Sequence, residues 1–330
     1  MRVNAPTYGI LGALEVPLAL GLLRLSTEGR PAEADALDVL HFALDRGIRV
    51  LDTADSYALD DRDLHYGEAL VRKALSSWTG PKDQVRVITK AGLARPKGKW
   101  APNGRPEHLR RMVDGSLAAL GVGRIWLLML HAVDPKVPLE ETLGALAQLQ
   151  KEGKIEHLGL CNTSIAEVRQ AERHFPVRAI QNELSVIDRS GATDGLVALA
   201  RQIGAAFLAH RPLGGHAKTA NLLKNRAIKP IAARHGVTPH EAALAALLDL
   251  GPPVLPLFGA TKRASVESSL RVGRRGCGDQ KTPRLSPTTT HSTPQLVQLG
   301  KSETIGIEDD HHRRVGNIDT HFDHGGRHQH

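Results

Sequence analysis

With 330 residues the chain has room for two average domains or one large α/β barrel, and 41% hydrophobic with 24% charged residues excludes a disordered or fibrous chain. A net charge of +8 is spread along helical stretches beside acidic residues instead of being gathered with aromatics, so nucleic acid is not expected as a partner. Cys161 and Cys277 cannot build a disulfide framework and lie in no zinc-like spacing, so neither structural zinc nor any other dedicated metal site is expected.

The N-terminus shows no basic-then-apolar leader, and no apolar run reaches the roughly 18 to 20 residues of a membrane span, so a cytoplasmic location without a membrane partner is expected. From there the chain alternates short apolar runs with helical spacing. Leu18–Leu23 reads as a strand and Pro31–Asp45 as a helix, followed by Ile48–Leu51 and Leu64–Ser76, then Val85–Ile88 and Pro106–Leu120. Ile125–Leu130 precedes Leu139–Glu152, Ile155–Leu160 precedes Ser164–His174, and Val177–Ile180 precedes Thr193–Ile203. The last pairs are Ala205–Ala209 with a long region, Leu222–Leu250, and then Val254–Phe258. Pro106 with Glu107 suits a helix start that Gly121 ends, and Thr238-Pro239 with Glu241 reads as a capping box. Eight such runs separated by helices imply parallel strands, and the absence of GxGxxG after the first strand favours a closed barrel over an open sheet.

The fold class expected is therefore α/β, a (β/α)8 TIM barrel over residues 1–272. "RASVESSLRV" begins an eighth outer helix that breaks off into a Gly-, Thr- and His-rich segment. Residues 273–330 are expected to form a low-complexity, disordered tail after an incomplete eighth helix.

Polar residues close the strands. The second run ends on Asp52, the third on Lys90, the fourth on His131 and the sixth on Gln181. Cys161-Asn162, His210-Arg211 and Gly259-Ala260-Thr261-Lys262 follow the fifth, seventh and eighth. Singly, each has an ordinary explanation as a cap or a satisfied core group. An Asp, a Lys and a His on consecutive strands must share one mouth, where leaving them unpaired costs several kcal/mol apiece. Tyr57, just beyond the second strand, can fold back over that mouth beside the ammonium. A neighbouring cation stabilises a phenolate and draws the phenol toward the range in which it exchanges protons. That suits an acid which protonates an oxygen oriented by His131. No side chain donates hydride, so a nicotinamide cofactor is implied.

"RVLDTADSYALDDRDLHYGEALVRKAL", "VITKAGL", "LHAVDPKVPLEETLGALAQLQKEGKIEHLGLCNTS", "AIQNELSVIDR" and "FLAHRPLGG" occur in an order that resembles the aldo-keto reductase family from about Leu18 to about Leu270. The resemblance implies Tyr57 as general acid tuned by Asp52 and Lys90, with His131 orienting a small aldehyde or ketone that NADPH reduces. It implies Asn162 and Gln181 at the nicotinamide amide, His210 beneath the ring, and Gly214 and Gly215 at the pyrophosphate. Gly259, Ala260, Thr261 and Lys262 fall at the adenosine end, with Lys262 favouring NADP(H) over NAD. Leu22, Leu23 and Trp100 are implied as substrate walls, with Trp126 either a further wall or part of the core. Cys161 stands where the family has serine, Phe258 where it has proline, and Ser268-Ser269 where a Glu-Asn pair meets adenine, which implies weaker cofactor binding. Two alternatives stay open: a regulatory relative that binds NADPH without turnover, and a barrel enzyme forming a Schiff base on Lys90.

Overall fold

The short apolar runs become strands because each can be buried on both faces once its neighbours are in place. The computed structural model describes residues 6–187, 195–215 and 222–275. Among these, the strands are β1 (Ala19–Gly21), β2 (Val50–Asp52), β3 (Arg86–Ala91), β4 (Leu93–Ala94), β5 (Ala101–Pro102), β6 (Ile125–Leu130), β7 (Ile155–Cys161), β8 (Val177–Glu183), β9 (Ala206–His210) and β10 (Val254–Gly259). Eight of them close into a parallel barrel in the order β1-β10-β9-β8-β7-β6-β3-β2, with β1 completing the ring against β2. The other two, β4 and β5, form an antiparallel hairpin that leaves the rim after β3.

The helices are α1 (Leu23–Ser26), α2 (Glu33–Asp45), α3 (Tyr66–Ser77), α4 (Pro106–Leu120), α5 (Leu139–Lys151), α6 (Ile165–Ala171), α7 (Leu196–Ile203), α8 (Ile228–Arg234), α9 (Pro239–Leu248) and α10 (Arg263–Arg275). The start and stop signals act as expected: Pro106 opens α4, Gly121 at φ 69° closes it, and Thr238 with Glu241 forms a reciprocal capping box. That box, with Gly236 at φ 61°, divides the long region Leu222–Leu250 into α8 and α9. No helix among the described residues is long and apolar enough to cross a membrane.

Side chains alternate along every strand, and this period of two makes two cores. One row, including Ala19, Val50, Ile88, Leu127, Met129 and Leu255, fills the barrel interior, closed below by Tyr8, Leu11 and Leu14. The other row, including Leu20, Leu51 and Phe258 on one side and Leu128, Leu160 and Phe207 on the other, packs outward against the helices. Burying each such leucine fully contributes about 1.5–3 kcal/mol.

Two sequence expectations need correction at β1. The strand stops at Gly21, and the backbone turns into α1 at Leu23. Leu22 has the outward parity of Leu20, so it is fully buried with Leu20, Leu25 and Leu70 and is no pocket wall. The eighth outer helix, α10, runs two residues past Gly273. It buries Val266 and Leu270, and a Cβ at Gly273 would lie 3.2 Å from both Val16 and Leu18. Glu241 ties it to α9 by accepting from Arg271 Nε at 2.8 Å and Ser268 Oγ at 3.1 Å. The Gly-, Thr- and His-rich segment beyond Arg275, expected as a disordered tail, lies outside the described residues.

Candidate active site

Counting by twos along the inner row leads directly to the polar rim. Val50 points to Asp52, Ile88 to Lys90, Leu127 and Met129 to His131, Ala179 to Gln181, Ala206 and Leu208 to His210, and Leu257 to Gly259. Each polar group is therefore the next inward position after a packed apolar one, at the C-terminal end of its strand. Barrels of this kind place their chemistry there.

Four sequence-predicted groups meet at this rim. Lys90 Nζ donates to Asp52 Oδ1 at 2.5 Å, to the Thr53 carbonyl at 2.9 Å and to the Tyr57 hydroxyl at 3.1 Å. All its donors are thereby occupied, and Lys90 and Asp52 are fully buried. The ring of His131 lies 5.7 Å from that of Tyr57, edge-on at 70°. Trp100, from the loop between β4 and β5, completes a triangle at 6.4 Å from Tyr57 and 6.2 Å from His131.

Tyr57 folds back because its own loop is anchored: Asp55 N bonds to the Lys90 carbonyl at 3.1 Å, and Gly67 N to the Tyr57 carbonyl at 3.1 Å. Gly67 is glycine for a steric reason, since a Cβ there would sit 2.6 Å from Thr53 Oγ1 and 3.1 Å from Tyr57 Cβ.

Burial dominates the electrostatics. It pushes the Tyr57 phenol up to about 12, although the Lys90 charge pulls the other way. The sequence reading, in which the cation draws the phenol toward neutrality, is corrected on this point: desolvation wins, and Tyr57 holds its proton. For Lys90, burial works to lower the ammonium pKa, but Asp52, then Tyr57 and Cys161, outweigh it and the net direction is upward. His131 is held well below the ordinary histidine range by burial, Lys90 and His210, so its ring is neutral. Cys161, fully buried, is pushed upward as well and stays a thiol.

Across the mouth, Gln181 Nε2 donates to Asp52 Oδ2 at 2.8 Å, while Gln181 Oε1 has, among the described residues, the Cys161 thiol alone at 3.6 Å. Asn162, at φ 52°, donates from Nδ2 to the His131 carbonyl at 2.9 Å, and its Oδ1 lies 3.1 Å from His210 Nε2. Gly214 (φ 83°) and Gly215 (φ 76°) both occupy the left-handed region, where a side chain would strain the turn. Gly259 ends β10, and Ala260, Thr261 and Lys262 lead into the first turn of α10, with Ser265 N and Val266 N bonding to the Lys262 carbonyl. Amide groups with acceptor capacity left at Gln181, paired left-handed glycines and a cation at a helix start fit a nicotinamide dinucleotide.

Leu23 opens α1 just beyond β1 and is only partly buried. Trp126, at the opposite end of β6 from His131, packs edge-on against His157 at 5.6 Å and lies outside the mouth. Ser268 bonds to Glu241 of α9, and the hydroxyl of buried Ser269 bonds back to the Ser265 carbonyl within α10, so both side chains are engaged in helix contacts.

Sequence reasoning missed three contributors. Ser56 Oγ lies 3.3 Å from His131 Nδ1. Arg95, fully buried, donates to Glu28 at 2.5 Å and to the carbonyls of Ala58 and Leu59, and its guanidinium lies 3.8 Å over the Trp100 ring. Behind Lys90, buried Glu68 accepts from Thr89 Oγ1 at 2.5 Å and is bridged to His65 Nδ1 at 2.6 Å. The outward parity of Thr89 was readable from its place beside Lys90; nothing marked the others.

A sequence profile described as the aldo/keto reductase family matches residues 17–281. A soybean (Glycine max) protein named probable aldo-keto reductase 1 is 32% identical over 265 residues, which cover 72% of this chain and 74% of that protein. The glycerol dehydrogenase of Gluconobacter oxydans superposes with a TM-score of 0.68 at 26% identity, covering 82% of this chain and 90% of that one. An aldo/keto reductase from Klebsiella pneumoniae, solved with NADP and acetate, has a TM-score of 0.65 at 21% identity, covering 85% and 98%.

Proposed function

The chain belongs to the aldo/keto reductase family, and on that premise we propose that it reduces small aldehydes or ketones to alcohols with NADPH, using Tyr57 as the general acid. The family makes it an oxidoreductase of carbonyl compounds; the acid, the cofactor preference and the substrate range are our reading. One observation carries that reading: the Lys90 ammonium bridges the Asp52 carboxylate and the Tyr57 hydroxyl in a buried site beside His131.

Bound NADPH supplies the hydride that reduces the carbonyl carbon. The chain's own groups manage the oxygen. Tyr57 presents a proton that burial has kept on the phenol, and gives it to an oxygen that becomes strongly basic only as hydride arrives. The phenolate left behind lies 3.1 Å from a fixed ammonium, which stabilises it where water is scarce. Neutral His131 can hold the same oxygen by one hydrogen bond without competing for its proton. Asn162 and Gln181 would hold the nicotinamide amide, His210 would lie beneath the ring, and Gly214 with Gly215 would admit the pyrophosphate. Gly259, Ala260 and Thr261 would line the adenosine end, and Lys262 would meet the 2′-phosphate, in keeping with the NADP held by the Klebsiella protein. Leu23 and Trp100 would bound the substrate.

Lys90 is poorly suited to a Schiff base, because Asp52 holds it charged and all three of its protons are engaged. Following NADPH absorbance with a panel of aldehydes and ketones tests the proposal. Wild type should turn over, and Tyr57→Phe should lose about 10²–10⁴-fold in kcat while still binding NADPH. Turnover surviving in Tyr57→Phe would remove Tyr57 as the acid. NADPH binding with no turnover of any carbonyl by wild type would favour a regulatory relative.

A further inference from the structure

A histidine that orients an oxygen by donating to it must carry its single proton on the nitrogen facing that oxygen. Neutral imidazole has two tautomers of similar energy, and the partner of the other nitrogen selects between them. His131 is neutral in this site because burial and the nearby Lys90 and His210 exclude a second proton. Its ring is held edge-on by Tyr57 and Trp100, with Nδ1 turned to the hydroxyl of Ser56 at 3.3 Å, a residue that is itself fully buried.

We infer that Ser56 is a positioning residue that sets the tautomer of His131: its hydroxyl donates to Nδ1 and so fixes the ring proton on Nε2, toward the substrate oxygen. This rests on the reading of His131 given above.

The direction of the hydrogen bond follows from what else could take the serine proton. A buried hydroxyl that donates to nothing forfeits a hydrogen bond at a cost of about 1–3 kcal/mol. The competing acceptor is the carboxyl of Asp55, the preceding residue. Asp55 is fully buried and lies close enough to Ser56 for that residue's hydroxyl and backbone N–H to act on its carboxyl. Burial first, then the charge of Glu68, push it well above the usual carboxylate range, against weaker pulls from hydrogen bonding by the Ser56 hydroxyl and backbone N–H and from the Lys90 charge. A protonated Asp55 has a proton of its own to give to Ser56 Oγ, and a serine that accepts there has its hydroxyl proton left for His131 Nδ1. Were Asp55 ionised, Ser56 would turn toward it, accept from Nδ1–H, and leave Nε2 without a proton to offer.

The test reads the tautomer directly. Full-length protein labelled with ¹⁵N in its histidines, with His131→Asn used to assign the resonance, should show His131 Nδ1 as an acceptor-type nitrogen and Nε2 as protonated. Ser56→Ala should move both nitrogens toward an averaged mixture of tautomers and lower kcat by about tenfold with KM for NADPH unchanged; Ser56→Thr should restore both. A wild-type spectrum with the proton on Nδ1, or a Ser56→Ala spectrum identical to wild type, would overturn the inference. The tautomer is visible without turnover. Proteins that show the expected spectra but reduce no carbonyl would therefore uphold the role of Ser56 and sink the reductase reading instead.

Discussion

Removing the charge of Asp52 probes the site most directly. Asp52→Asn keeps the shape and an oxygen that can still accept from Gln181, but strips the anion lying 2.5 Å from Lys90. At an effective dielectric of about 20, unit charges at that separation attract by roughly 6–7 kcal/mol, much of which offsets the cost of bringing both groups out of water. In the variant the ammonium stays buried among neutral acceptors alone, and stranding a charge in this way costs about 3–5 kcal/mol. At about 2–4 °C per kcal/mol for a domain of this size, Tm should fall by roughly 10 °C.

Linkage adds a second signature. In the parent, Lys90 has its pKa raised on folding, so its contribution is complete below the unfolded value near 10.4 and is lost as pH rises through the folded one. Without Asp52, burial becomes the dominant influence and the folded pKa drops below the unfolded one. The variant's deficit should then shrink as pH rises toward about 10. Urea titrations of parent, Asp52→Asn and Asp52→Asn/Lys90→Met across that range measure both effects. The double variant should recover most of the loss, because an apolar replacement strands no charge. A single-variant loss under about 1 kcal/mol, or a double variant worse than the two singles added, would refute the reasoning.

A phenol held up to about 12 predicts that reduction stays flat from about pH 6 to about pH 10; loss centred near neutrality would mean that Tyr57 ionises there. Arg95→Met should unfasten the loop carrying Trp100 from the carbonyls of Ala58 and Leu59, raising KM for the carbonyl by about 3- to 10-fold with NADPH affinity unchanged, as steady-state kinetics would show. Gly67→Ala drives a methyl to 2.6 Å from Thr53 Oγ1 and should cost about 1–3 kcal/mol in denaturant unfolding, with kcat falling as Tyr57 is displaced.

The barrel and its inner rim were legible because both follow from a period of two along apolar runs. Once Ile88 is inside, Lys90 must be, and Met129 commits His131 in the same way. Leu22 escaped the reading because the run of apolar residues continues past Gly21, hiding the end of β1, and parity then turns that side chain outward. What no local pattern encodes is which side chains meet across the ring. Gln181 reaches Asp52 over 129 positions of sequence, and Arg95 stacks on Trp100 only because a hairpin brings them face to face. The net pKa of Tyr57 was hidden for a related reason: the cation beside it was readable, whereas its own desolvation depends on how completely the rim closes.

Asp52, Tyr57, Lys90 and His131 all come from β2, β3, β6 and the loops that leave them, while Asn162, Gln181, His210 and the glycines belong to β7 through β10. The proton-handling kit and the dinucleotide cradle thus occupy separate arcs of the ring, sewn together where Gln181 reaches Asp52 and Asn162 reaches the His131 carbonyl. A chimera joined between β6 and β7 would inherit each kit whole from one parent, and the mismatch between parents would fall along the β6–β7 and β1–β10 pairings and on those two polar seams. Redesign of cofactor preference on one arc can therefore proceed with little disturbance to acid chemistry on the other, provided the seams are kept.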